Sequence, residues 1–198
     1  MIAGQRRTPD RSRAPATLAH LSAASWARKV TIVICFALIT AVTAQVRLPW
    51  TPVPVTAQTL AVLLSGATLG WRAGAGCQLL YLSLGAAGLP LCSGGKGGFA
   101  VIAGPTGGYL IGFVIAAALV GFLAELGQDR RLSTSVPAML AGSAVIYLVG
   151  IPWLAHVLNV SAVRAVELGM APFLIGDALK VLLAGALLPG VWTLAERQ

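Results

Sequence analysis

The sequence predicts an all-α integral membrane protein: a compact bundle of six transmembrane helices, N-in and C-in. Three observations carry this prediction. First, 57% of the 198 residues are hydrophobic and 10% are charged, where average soluble domains carry about 25% charged residues. Second, the apolar residues between 30 and 195 fall into six runs. Each comes close to the roughly 20 residues that a helix needs to cross a hydrocarbon core of about 30 Å. Third, the cations are segregated. With a cytoplasmic N-terminus, ten of them, including Arg72, Arg130, Arg131 and Arg197, fall on the inner side, and three, Arg47, Lys96 and Arg164, fall on the outer side. That asymmetry sets orientation.

Residues 1–29 read as a basic cytoplasmic tail, with Arg6, Arg7, Arg11, Arg13, Arg28 and Lys29 against Asp10. It suits attraction to anionic lipid, and Leu18–Trp26 is a candidate interfacial helix. A cleaved signal peptide is the weaker reading, because the next apolar run has five successors and no small-residue cleavage site stands out before it.

Residues 30–195 read as one domain. Span 1 is Val30–Val46, where Ala37 and Ala41 offer a smooth face for another helix. The segment Arg47–Val55 holds Pro49, Pro52 and Pro54, which favour an extended connection; Trp50 suits an interface. Span 2, Thr56–Trp71, has a small stripe at Ala57, Ala61 and Ser65. Span 3, Ala73–Leu89, contains Gln78, Tyr81 and Ser83, which are polar for a lipid-facing helix.

The loop Pro90–Pro105 places Gly94, Gly95, Gly97 and Gly98 around Lys96. It is too glycine-rich for a stable helix and lacks the GxxxxGK[ST] spacing of a phosphate loop. A mobile gate over a pocket and a plain flexible connector are both open. Span 4, Thr106–Leu126, continues a small-residue stripe at Gly104, Gly108, Gly112 and Ala116. Span 5 is Val136–Val157. His156 at its end reads as a solvated histidine rather than a proton relay or a metal ligand. Span 6 is Ala171–Leu194, with Pro172 tolerated in its first turn.

Span 6 carries Asp177 and Lys180. A charged side chain near the bilayer centre costs roughly 2.5 to 3.5 kcal/mol on insertion scales, so such residues face a partner or a cavity. Their spacing sets them about 60° apart, on one helix face. They form either a structural ion pair or a ligand site offering one acceptor and one donor. In the predicted topology they lie one to two turns inside the outer surface, beneath the Gly-rich loop.

The sequence carries no HExxH, GxSxG, paired-carboxylate, Cys/His cluster or ATP-binding motif. An enzyme is not expected, nor is a cofactor or a metal. A net charge of +8 raises the possibility of nucleic-acid binding, but the cations sit mainly at the ends and in short loops. Cys35, Cys77 and Cys92 lie in or beside apolar runs and read as buried free thiols.

The runs WTPVPVTAQTLAVLL (50–64), QLLYLSLGAAGLPLCSGG (78–95), GPTGGYLIGF (104–113) and FLIGDALKVLLA (173–184) together resemble the BioY family of biotin transporters. These are substrate-binding S components of energy-coupling factor (ECF) transporters. The resemblance implies a six-helix protein of the cell membrane that captures biotin from outside. It also implies partnership with an ECF transmembrane coupling subunit and ABC-type ATPases. Asp177 and Lys180 match the family's polar pair, which is implied to hydrogen-bond biotin. Ala37 and Ala41 match the helix-1 alanine motif through which S components dock on the coupling subunit. Span 3 and the loop after it are implied to contribute to binding, with Gln78, Tyr81, Gly94 and Gly95 as candidates; Tyr109 and Trp50 are candidate walls, and Lys96 a candidate for the carboxylate. An S component for another vitamin and a solitary ion-coupled carrier are the alternative readings.

Overall fold

Ser25 opens the first helix by accepting a hydrogen bond from the Arg28 amide at 3.4 Å, which satisfies one of the helix's first four amides. The structure, a computed structural model, describes residue 17 and residues 25–48 and 52–195. Most of the expected basic tail, together with Trp50 and Arg197, lies outside the described residues.

Helix α1 spans Trp26–Thr43. Its exposed face carries Ile34, Leu38, Ile39 and Val42, and its inner face Ala37, Thr40 and Ala41. Next come two short strands, β1 (Arg47–Leu48) and β2 (Val55–Thr56), which pair antiparallel with Arg47 opposite Thr56. The two ends of the proline-rich connection therefore pair as a short ribbon between helices.

Helix α2 (Gln58–Leu69) and helix α3 (Trp71–Ala86) meet at Gly70, whose φ of 83° lies in the left-handed region. Glycine adopts that conformation without steric cost. A Cβ there would also sit 2.4 Å from Glu125 Oε1. Both helices are shorter than the expected spans, because β2 takes Val55–Thr56 and a turn begins at Ala87.

The Gly-rich loop contains a bridge between Cys92 and Lys96 and then a one-turn helix, α4 (Phe99–Ala103). Helices α5 (Gly107–Glu125) and α6 (Leu132–Leu158) follow. Their close packing uses the small-residue stripe: a Cβ on Gly108 would lie 2.3 Å from Trp153 Cβ, and one on Gly112 would lie 3.0 Å from Ile146 Cα. Helix α6 stops at Asn159, which takes the left-handed conformation with φ 53°.

The connection between spans 5 and 6 is not wholly a loop, because helix α7 occupies Ala162–Gly169. Ser161 caps it through the Arg164 amide at 3.3 Å, and Arg164 pairs with Glu167 at 2.8 Å. Local capping and an i,i+3 pair thus form a helix where hydropathy shows none. A 3-10 turn (Ala171–Phe173) leads into helix α8 (Leu174–Ala195).

Among the described residues, four helical stretches are long and apolar enough to cross a membrane: Trp26–Thr43, Gly107–Glu125, Leu132–Leu158 and Ala162–Thr193. The chain is thus a multi-pass membrane protein. Helix α2 is apolar but shorter. At one end of the bundle the Trp71 amide bonds Glu125 at 3.1 Å, and Trp192 Nε1 donates to Asp129 at 2.6 Å. The ribbon, the Gly-rich loop and the start of α8 share the other end.

Candidate substrate-binding site

A cavity of about 460 Å³ opens at that second end. Each part of the bundle there contributes. The ribbon brings Arg47 and Thr56, α2 brings Gln58 and Thr59, and the Gly-rich loop brings Cys92, Ser93 and Lys96. Helices α5 and α6 bring Tyr109, Phe113, Ser143 and Tyr147, and α8 brings Asp177 and Lys180. The volume is that of a site for a small organic solute.

Asp177 is 7% exposed and sits in the first turn of α8, where unpaired amides favour a negative charge. Its Oδ1 accepts from Lys180 Nζ at 2.8 Å and from Thr59 Oγ1 at 3.3 Å; its Oδ2 accepts from the Tyr147 hydroxyl. Lys180 Nζ also donates to the Thr56 carbonyl at 2.6 Å. A carboxylate has about four acceptor sites and an ammonium three donors. Three acceptor sites of Asp177 and two donors of Lys180 are thus occupied. By that count one acceptor and one donor remain, on two residues that both line the cavity.

The lining carries three cations, Arg47, Lys96 and Lys180, against one carboxylate, Asp177. That imbalance favours an anionic solute. Elsewhere the wall is apolar, with Leu110, Phe113, Ile146 and Phe173. The buried Ser143 hydroxyl has no hydrogen-bond partner, so a polar ligand atom there would satisfy it.

Four of the expected residues, Asp177, Lys180, Tyr109 and Lys96, meet in this cavity. Tyr109 gives it a ring face only, since its hydroxyl donates to the Gly169 carbonyl at 2.9 Å. Gln78 and Tyr81 do not reach the lining. Gln78 Nε2 donates to Ser65 at 2.9 Å and to Thr40 at 3.3 Å, knotting α1, α2 and α3 together. Tyr81 stands one layer behind: its hydroxyl accepts from Gln58 Nε2 at 2.7 Å and donates to the Leu91 carbonyl at 3.4 Å. It supports the wall rather than forming it.

Gly94 and Gly95 also lie outside the lining. They form the tip of the Gly-rich loop, with φ of 77° and 66°, and Gly94 packs against the Arg47 guanidinium. Ala37 and Ala41, the expected docking residues, lie on the inner face of α1. They are 5% and 6% exposed and belong to a core cluster with Cys77 and Tyr81. Their small side chains are spent on close approach within the chain, so they present no outer face.

Sequence reasoning did not assign Tyr147, Thr59, Thr56, Gln58, Ser143 or Arg47 to the site. Tyr147 and Ser143 were visible as polar residues in an apolar run, and Arg47 only as a charge that sets orientation. Thr56, Gln58 and Thr59 lie inside the quoted VTAQT motif, but nothing in it says which side chains point inward. A continuous set of hydrogen bonds runs through Thr56 and Gln58: Lys180 to the Thr56 carbonyl, Thr56 Oγ1 to Gln58 Oε1 at 3.1 Å, then Gln58 to Tyr81 and Tyr81 to Leu91.

The sequence matches the BioY family over residues 12–197. It is 40% identical over 149 residues to the biotin transporter BioY of Rhizobium etli, covering 72% of this chain and 79% of that one. It is 42% identical over 155 residues to a probable biotin transporter BioY of Pyrococcus horikoshii, covering 78% and 90%. The fold matches a crystal structure of the S-component for biotin from an ECF-type ABC transporter. That match has a TM-score of 0.76 at 24% identity, over 84% of this chain and 92% of that one.

Proposed function

The chain belongs to the BioY family, a family of transport components and not of enzymes, and from that premise we propose that it captures biotin in the cavity beside Asp177 and Lys180 for uptake across the cell membrane. The open acceptor on Asp177 and the open donor on Lys180 carry this reading. The ureido ring of biotin presents N–H donors and a carbonyl acceptor, so Asp177 accepts from an N–H and Lys180 donates to the carbonyl. The bicyclic body meets Tyr109, Phe113, Ile146 and Phe173. The carboxylate of biotin, ionised at neutral pH, meets the excess positive charge of Arg47 and Lys96.

The same charge balance disfavours thiamine, which is a cation, and gives no ionic partner to riboflavin. Each pairs poorly with three cations and one carboxylate in the lining.

In this reading the domain of residues 30–195 crosses the membrane six times, N-in and C-in. The cavity faces outward, and Arg72, Arg130 and Arg131 sit at the inner end. Biotin enters from outside, and release to the cell follows engagement of an ECF transmembrane subunit and its ABC-type ATPases. Docking falls to the exposed face of α1, where Ile34, Leu38, Ile39 and Val42 lie, since Ala37 and Ala41 are turned inward.

Calorimetric titration of the purified protein tests the substrate. One-to-one saturable binding is expected with biotin and none with thiamine or riboflavin. Absence of heat with biotin, in folded protein shown to be free of carried-over ligand, would remove the reading.

A further inference from the structure

We propose that Gln45 is a positioning residue, a latch that fixes the Gly-rich loop in place as one wall of the cavity. This inference rests on the biotin reading for its effect on transport, and on geometry alone for the latch.

Gln45 stands two residues beyond the end of α1, at the open end of the bundle. Its Nε2 lies 3.2 Å from the Ala41 carbonyl, 3.3 Å from the Leu91 carbonyl and 3.2 Å from the Cys92 carbonyl. Its Oε1 accepts from the Gly95 amide at 3.0 Å. One primary amide thus ties the last turn of α1 to the first arm and the tip of a loop about 50 positions away. Only one orientation of the amide fits, because three carbonyls surround one end and an N–H meets the other.

The loop needs such an anchor. Its tip is Gly94 and Gly95, both with left-handed backbone, and neither carries a side chain that could hold it. Inside the loop, the Cys92 amide bonds the Lys96 carbonyl at 2.9 Å, and the Gly98 amide bonds the Gly85 carbonyl at 2.7 Å. These bonds shape the loop and tie its foot to α3. Gln45 ties its upper part to α1. The residues so held include Cys92, Ser93 and Lys96, all of which line the cavity.

The Leu91 carbonyl accepts from both Gln45 and Tyr81. The latch therefore meets the hydrogen-bonded series that begins at Lys180. A loop released from Gln45 loses its fixed position over the ligand while Asp177 and Lys180 keep theirs. The expected consequence is faster escape of a bound solute, with little change in its entry.

The test uses the full chain in detergent with Gln45→Glu and Gln45→Met, both close to the natural length. The carboxylate variant sets an oxygen against the carbonyls, and the methionine variant removes all the polar contacts. In ligand-free protein, trypsin cleavage after the exposed Lys96, followed by mass spectrometry, is expected to accelerate about tenfold in both. Radiolabelled biotin is expected to dissociate about tenfold faster, with association changed by less than about twofold. General loss of fold does not produce that split.

Unchanged cleavage after Lys96 in both variants overturns the latch, whatever biotin does. Faster cleavage in a protein whose natural form binds no biotin supports the latch and removes the substrate reading instead. If neither variant folds, hydrogen exchange of the Gly95 amide in the natural protein decides: protection supports the latch, and exchange at the unprotected rate overturns it.

Discussion

The Lys180 ammonium and the Thr56 carbonyl lie 2.6 Å apart across 124 positions of sequence. This bond pins the polar turn of α8 to the ribbon that edges the cavity, and it leaves Lys180 a donor to offer. Asp177 is held on both oxygens in the same way, by Lys180, Thr59 and Tyr147. The pair is thus bonded to three further residues and is not a self-contained ion pair.

Lys180→Met therefore strands a carboxylate that is 7% exposed. It should abolish measurable biotin binding and cost about 3 kcal/mol of stability, read by titration and by thermal unfolding in detergent. Tyr147→Phe removes one bond to that charge and should weaken biotin about tenfold with little loss of Tm. Normal affinity in both variants would remove Asp177 and Lys180 from the site.

Arg47→Ala and Lys96→Ala separate charge from shape. Each should weaken biotin about five- to tenfold and change the affinity for the neutral biotin amide by less than about twofold. An equal loss for both ligands would place the carboxylate away from these cations.

Helix packing can be tested at two glycines. A Cβ on Gly66 would lie 2.5 Å from the Ala117 carbonyl oxygen, whereas a Cβ on Gly76 meets nothing within 4 Å. Gly66→Ala should lower Tm, because overpacking by about 1 to 3 kcal/mol exceeds the roughly 1 kcal/mol gained in helix propensity. Gly76→Ala keeps that gain without the clash and should raise Tm.

At the opposite end of the bundle, burial raises the Asp129 carboxyl above its ordinary value of 3.8, against the opposing effects of the Trp192 bond and the Arg130 charge. A raised acid favours the folded state fully below its ordinary value, and that contribution is lost as pH rises through the raised value. Asp129→Asn keeps an acceptor for Trp192 Nε1 without the charge. It should equal or exceed the natural protein in Tm at neutral pH and lose that advantage towards about pH 4. A variant less stable at neutral pH than the natural protein would show that the charge itself is needed.

The membrane class, the existence of the helical runs and the shared helix face of Asp177 and Lys180 were legible in the sequence. Each is local. Twenty apolar residues report a span, and two charges three positions apart within one report a shared face. The small stripe at Gly108, Gly112 and Ala116 was legible for the same reason, since a repeat of four marks one side of a helix. Helix α7 was not, because at eight residues, with Val163 exposed and Ala165 buried, it lacks the apolar length that marks a span.

What the sequence determined by itself is thus the solvent the chain lives in, the approximate spans and the turn of α8 on which the charge sits. What only the tertiary structure decided is which polar groups meet there. Gln78 and Tyr81 read as candidates and Tyr147 and Thr59 did not, yet helix rotation turns the first two into supports between helices and the last two onto Asp177. Ala37 and Ala41 likewise form a smooth face on paper, and packing decides that this face is turned inward. The physical reason is that a hydrogen bond such as Lys180 to Thr56 depends on the rotation and depth of two helices together. Those are set by close packing along glycine and alanine stripes, which no single segment records.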